Sequence, residues 1–278
     1  PTADRIKGSR HHNMKGLRPG SAGRSEIRIL FAFDPKRRAI LLVAGDKAGR
    51  WKQWYDIVFA LHGIPAHADD RLWVALGAPP PWHSAVKTLS PKVDGVLILA
   101  AMEPHPHGSV ADSFGVLDLG KYGFDLLIEA SWVVHEGVRE AVWPDGWSVV
   151  DDAGLLARWC LLHDYEDVLT PAILSNPRCQ VLARVEDGQL VGGAILHDGG
   201  QAAGMSNLWS GAGAGAGAGA GDGERAGEVG PEDVTEVLAC AGILYPGRPV
   251  TDFAWGSELD AVMAAGFMSV GPQRVWAR

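Results

Sequence analysis

The chain has 278 residues, 47% of them hydrophobic and 21% charged, with a net charge of −8. That is enough apolar material for a packed core, in one large or two ordinary domains. No run of about 18 apolar residues occurs, which excludes a transmembrane helix, and the start, PTADRIKGSRHHNMKG, lacks the apolar region of a signal peptide, so the expected location is the cytoplasm.

The charge is unevenly spread. Residues 1–55 carry 13 Lys and Arg against 4 Asp and Glu, whereas the remainder carries 12 against 29. A break this sharp points to two units with different partners: the basic part suits a polyanion such as RNA, and the acidic part repels one. Cys160, Cys179 and Cys240 are odd in number and form no C-x-x-C, which argues against a disulfide framework or a zinc site and for buried free thiols. No metal is expected.

In chain order, HNMKGLRPG reads as a strand and turn. A hairpin follows, Ile27–Phe33 and Ala39–Ala44 around DPKRR, because Asp-Pro opens turns and the flanks are β-branched and aromatic. RWKQWYDIVFALHG has helical spacing and a terminal Gly63. LWVALGAPPPW reads as a strand with a Pro stop, DGVLILAAM as a fully apolar strand, PHPHGSVADSFG as a loop and FDLLIEASWVVHE as a strand. WSVVDD is a short strand, AGLLARWCLLHD a helix, and DVLTPAILSNP a second helix interrupted by Pro171. The clearest element is CQVLARVEDGQLVGGAILHDG, two apolar strands around an Asp-Gly turn. The remainder reads as strand AGMSNLW, a Gly-Ala tract, helix PEDVTEVLACAGIL, strand RPVTDFAW, helix SELDAVMAAGF and strand SVGPQRVW. Pro231 with acids in the opening turn starts the first of these helices, and Gly266 ends the last. This order predicts an α/β (α+β) fold. Three parts are expected: 1–56, 57–130 and 131–278, with a disordered Gly-Ala insertion at 210–230.

The motifs MKxLRPG, RSEIRILFAFDP and ILLVAGDKxGxWxxWY within residues 1–55 resemble the later part of a RelE/HigB-like toxin of toxin–antitoxin systems. The one or two helices that open such toxins are not matched. The resemblance implies a basic β-sheet that cleaves ribosome-bound mRNA, with a cognate antitoxin as partner. Metal-free RNA cleavage needs cations at the phosphate and a group to move a proton. Lys15, Arg18, Arg28, Lys47 and Tyr55 are the resembling candidates.

The hairpin VEDGQLVGGAILHDG, the stretch MSNLW and the tail RPVTDFAWGSELDAVMAAGFMSVGPQRVW resemble the GNAT (Gcn5-related) N-acetyltransferase superfamily. LWVALGAPPPWHSAVK and DSFGVLDLGKYGF are similar to the N-terminal extension of its actinobacterial members. The resemblance implies a mixed sheet flanked by helices, binding acetyl-CoA by its pyrophosphate between the central strand and the next helix. There glycines permit close backbone approach and a helix N-terminus attracts the anion. The matching positions are Asn207, Leu208, Trp209, Gly211 and Gly213. The pattern departs from the family: Leu208 stands where Gln or Arg is usual, and Asp222, Glu224, Glu228, Glu232 and Asp233 repel a phosphate. The Tyr that serves such enzymes as general acid falls on Val262, and the Asn that often opens the same helix on Trp255. This leaves Tyr245 as the acid candidate, with Glu129, His135 or Glu136 as base. Three readings compete: an acyltransferase-like domain with weakened or lost acetyl-CoA binding, an mRNA-cleaving toxin, and a non-catalytic ligand- or partner-binding protein. No membrane or DNA partner is expected.

Overall fold

A computed structural model of the chain describes residues 52–211 and 228–278 with their side chains, and before them the backbone of four strands and of the opening of a helix, residues 47–51. Strands β1 (Thr2–Arg5), β2 (Met14–Arg18), β3 (Arg28–Phe33) and β4 (Ala39–Gly45) form an antiparallel sheet in chain order. The expected hairpin is present, with Arg28 across from Gly45 and Phe33 across from Ala39.

Helix α1 (Lys47–Leu61) follows. Its Trp54, Ile57 and Val58 are buried in one apolar cluster with Trp132, Trp159 and Val181 from the second half of the chain. The helix that carries the WxxWY motif is therefore core to the larger fold, and it runs through position 56.

That larger fold is an 11-stranded mixed sheet. Its first half comprises β5 (Ala66–Ala68), β6 (Leu72–Ala75), β7 (Val86–Thr88), helix α2 (Gly95–Met102), β8 (Ser109–Asp112) and β9 (Asp125–His135). The second comprises β10 (Trp147–Val149), helix α3 (Ala153–His163), β11 (Cys179–Glu186), β12 (Gln189–Asp198), β13 (Ala203–Ser210), helix α4 (Pro231–Leu244), β14 (Val250–Ala254), helix α5 (Gly256–Ala264) and β15 (Met268–Ala277). The strand order is β10-β11-β12-β13-β14-β9-β15-β8-β7-β6-β5.

This order is a repeat read from both ends. In each half three antiparallel strands lead through a helix to a parallel neighbour, β5-β6-β7-α2-β8 and β11-β12-β13-α4-β14. Each half then gives its last strand away: β9 pairs with β14, and β15 with β8. The two donated strands pair with each other at the centre, and position 130 falls inside β9. Helices α1 and α3 precede corresponding hairpins and share one apolar cluster, whereas α4 and α5 cover the opposite face around Leu196, Met205 and Val250.

Three elements differ from expectation. DGVLILAAM forms α2 rather than a strand: the Asp94 carboxylate accepts the Leu97 N–H (2.9 Å) and caps it. An eight-residue apolar run carries no period that separates a buried helix from a buried strand, and only a crossover element can join parallel strands. Ser109–Asp112, taken as loop, is the parallel partner that this crossover requires. The helix expected across Pro171 shrinks to a 3₁₀ turn, Pro171–Ser175, because Pro removes a helical donor and disfavours helix just before it. The Asp-Gly hairpin forms as read, with Asp187 at φ 49° and Gly188 at φ 75°.

Candidate functional site

Strands β13 and β14 pair in parallel at only two positions, Ala203 with Val250 and Gly204 with Thr251. Beyond them β13 continues beside β12 to Ser210 and β14 continues beside β9 to Ala254. Asn207 sits at φ 53°, a left-handed geometry unusual outside glycine, and the β12/β13 register shifts between Gly193 and Ile195. The strands thus separate at their carboxyl ends, where open α/β sheets place ligand crevices.

On the α4/α5 side of these strands Met205, Leu208, Val234, Leu238 and Val262 are buried in one apolar cluster. On β14, between Val250 and Ala254 of that cluster, stands an acid. Asp252 is 2% exposed; its Oδ1 accepts the Phe253 N–H (2.7 Å), and its Oδ2 has no hydrogen-bond donor among the described residues. Burial, and then the charge of Glu258 in the first turn of α5, raise the Asp252 carboxyl well above the ordinary carboxylate range. Burial pushes Glu258 up to about 7. On the opposite face Trp209 stacks on His163 (6.1 Å between centroids) and meets Trp159 edge-on (5.9 Å), and His163 Nε2 lies 3.3 Å from Asn207 Oδ1. Burial lowers the His163 pKa and raises that of neighbouring Tyr165.

The start of α4 is also defined. Asp233 is 6% exposed; its Oδ2 accepts the Gly230 N–H (2.9 Å) and its Oδ1 pairs with Arg184 (2.7 Å). Arg184 also reaches Glu186 (2.7 Å) and Glu236 (3.4 Å). The positive end of the helix is therefore filled by carboxylates of the chain itself, Glu232 and Asp233, and the nearby guanidinium is already shared among three acids.

The sequence candidates separate. Asn207, Leu208 and Trp209 lie on β13 beyond its pairing with β14, and the Gly211 N–H donates to Val191 O (2.7 Å); Gly213 lies outside the described residues. Tyr245 ends α4, about 20 Å along the helix from its first turn. Its ring lies under Arg248, its hydroxyl is buried without a partner, and burial pushes its pKa up to about 12. Tyr55 packs against Phe59 (5.8 Å) and Trp73 (5.2 Å), beneath the buried Lys87, and its hydroxyl accepts the Ser84 N–H (3.4 Å). For Arg18, Arg28 and Lys47 only the backbone is described, at the end of β2 and the starts of β3 and α1; their side chains, like that of Lys15, lie outside the described residues. Glu129 is engaged by Arg274 (2.7 Å), and His135 Nδ1 accepts the Gly137 N–H (3.0 Å). Asp252 and Glu258 were not among the sequence candidates. The one signal was an acid inside the apolar strand VTDFA. Among the described residues no group of three or more His, Cys, Asp or Glu could hold a metal.

A solved structure of a GCN5-related N-acetyltransferase from Kribbella flavida matches 83% of this chain and 95% of its own at 11% identity, with a TM-score of 0.55. A functionally unknown conserved protein from Staphylococcus epidermidis matches 76% and 92% at 14% identity, with a TM-score of 0.52. The fold resembles that of the GCN5-related N-acetyltransferase. Residues 1–60 match the family described as phage derived protein Gp49-like (DUF891). Two Mycobacterium tuberculosis proteins resemble this same end: toxin HigB2, 73% identical over 56 residues, and toxin HigB3, 66% identical over 77. The chain spans 28% and 60% of these relatives' lengths, and they match 20% and 27% of this chain. A HigB-like segment thus lies at the start of the chain, and its helix α1 packs into the core of the larger fold.

Proposed function

We propose that the chain is a GNAT-fold protein with weakened or lost acetyl-CoA binding, joined to a HigB-like toxin segment, and that it acts as a non-catalytic ligand-binding protein. One observation carries this reading: Asp233 occupies the start of α4 as the helix's own anion, with Glu232 and Glu236 beside it. A pyrophosphate brought there meets like charges at short range and finds Arg184 already engaged. The residues present do not fit acetyl-CoA. Tyr245, at the far end of α4, is not placed to serve as its acid. Thermal melting of the full chain with millimolar acetyl-CoA tests the reading, because any ligand that prefers the native state raises the midpoint. No shift is expected; a clear rise overturns it.

A second reading, an mRNA-cleaving toxin partnered by an antitoxin, is supported by the 73% identity to HigB2. Arg18, Arg28 and Lys47 are its candidates for binding phosphate. Tyr55 is held in the packing of α1 and is the weakest of the set. Translation arrest by the full chain, abolished in Arg28→Ala, is the outcome this reading requires. Both readings place the protein in the cytoplasm. No helix among the described residues is long and apolar enough to cross a membrane.

A further inference from the structure

The helix that closes the HigB-like segment is held by the larger fold through both its apolar and its polar side chains. Residues 1–60 match the Gp49-like family, so α1 falls within that match almost to its end. Trp54, Ile57 and Val58 share a buried cluster with Trp132, Trp159 and Val181, and Phe59 shares one with Trp73 and Ala75. Polar contacts fasten the same helix. Trp73 Nε1 donates to Asp56 Oδ1 (3.0 Å), Arg178 donates to Gln53 Oε1 (2.8 Å), and the Ser84 N–H donates to the Tyr55 hydroxyl (3.4 Å). Just past the helix, His62 Nε2 donates to Val168 O (2.9 Å).

This seating bears on the segment in two ways. Trp54 and Tyr55 end the motif ILLVAGDKxGxWxxWY, and both are committed to the larger fold: Trp54 is 3% exposed, and Tyr55 is wedged against Trp73 and His83. The sheet is also tied down. One residue separates Gly45 of β4 from Lys47 of α1, so the end of β4 stays within about 7 Å of the seated helix. The body it is tied to carries 29 Asp and Glu against 12 Lys and Arg from residue 56 onward. A basic surface pinned about one screening length from such a body presents a weaker field to RNA than it does alone. We infer that the larger fold restrains the HigB-like segment within its own chain: with α1 seated, toxin activity is suppressed, and it belongs to the small population in which α1 has left its seat. This rests on the reading of the segment as an mRNA-cleaving toxin and supplies the regulation of that same segment.

The polar contacts give a handle on how firmly α1 is held. Loss of one net hydrogen bond shifts an equilibrium about fivefold. Removing the donors of Trp73 and Arg178 together therefore enlarges the released population roughly tenfold or more. Both residues lie beyond the match to the Gp49-like family, so the segment's own side chains stay intact. Trp73→Phe keeps an aromatic ring against Tyr55 and Phe59 and removes only the indole donor.

Translation arrest by the full chain in a cell-free system tests this, with wild type set against Trp73→Phe/Arg178→Ala. Arrest roughly tenfold stronger in the double variant is expected, with faster hydrogen exchange of the α1 amides, and Arg28→Ala abolishes arrest in both backgrounds. Arg178→Ala alone, at an exposed position, keeps the fold and is expected to strengthen arrest about fivefold. Ile98→Ala controls for general loss of stability: Ile98 is fully buried in the cluster around α2, whose described residues include none of α1. It is expected to leave arrest at the wild-type level. Equal arrest by wild type and the folded variants overturns the restraint and leaves the toxin reading standing. So does arrest raised as much by Ile98→Ala as by the double variant. Absence of arrest from every protein removes the toxin reading itself, and this inference with it.

Discussion

The two halves of the large sheet share a plan and differ where it matters for function. In the first, the connection between the parallel strands is short: six residues separate Thr88 from α2, and Thr88, Asp112 and Ser113 close the strand ends with hydrogen bonds. In the second, the connection spans residues 211–230, and Asp252 is left facing a second acid. A buried, saturated carboxylate stabilises the fold it sits in. A buried carboxylate without donors destabilises it, and persists where a ligand or a proton supplies the missing charge. The difference makes Asp112 part of the hydrogen-bonded frame and leaves Asp252 short of a donor among the described residues.

The largest expected effect tests the frame both halves share. Val58 of α1 is 0% exposed and lies in the cluster of Trp132 and Trp159. Val58→Asp buries an unpaired charge and is expected to cost about 4 kcal/mol or more in urea unfolding of residues across the whole large sheet. A loss confined to the HigB-like segment would show that α1 belongs to that segment alone.

Next comes the contrast between the aspartates. Asp112→Ala leaves two buried backbone donors, of Phe114 and Leu117, without acceptors, and is expected to cost about 3–4 kcal/mol. Asp252→Asn is expected to do the reverse and stabilise by about 1–2 kcal/mol at pH 8, because it removes a charge that burial disfavours. Equal signs for the two variants would dissolve the distinction.

The pH dependence sharpens it. A carboxyl whose folded pKa is raised binds more protons in the native state than in the unfolded one, so its contribution is intact below the unfolded pKa and declines as pH rises toward the folded one. For Glu258 that window runs from the ordinary carboxyl value of 4.5 to about 7. The buried His83, pushed down to about 4, and His197, pushed down to about 3, act the other way: their native forms bind fewer protons, and stability falls as pH drops below 6.5. Since the histidines are common to wild type and variant, the advantage of Asp252→Asn is expected to be absent near pH 4 and to grow to pH 8. A difference that does not vary with pH would mean that the pair is not held as drawn.

How much of this was legible in the sequence follows the same divide. The Asp187-Gly188 hairpin and the strand-tract-helix order were visible because turn chemistry and period are local. Helix α2 was not, since DGVLILAAM is apolar throughout and only the parallel pairing of β7 with β8 decides its state. The exchange of β9 and β15 depends on pairing between residues more than a hundred positions apart, to which no local pattern responds. Nor was the acid pair visible: in TDFAWGSELD one acid reads as a strand residue and the other as an ordinary first-turn acid of a helix.

The smallest expected effect lies on the seam between the halves. Arg274 of β15 stands across from Glu129 of β9 and holds it through two guanidinium nitrogens, at 3.0 and 2.7 Å. Solvent reaches both partners, so the pair is screened. Glu129→Gln is expected to cost about 0.5 kcal/mol, less in high salt. Arg274 also donates to Gly115 O (3.2 Å), so Arg274→Met removes a buttress of the β8 end together with the ion pair and is expected to cost more than Glu129→Gln. If the two substitutions cost the same, the ion pair alone accounts for the role of Arg274, and the exchanged strands are held by their backbone ladder and buried Trp132 rather than by this crossing residue.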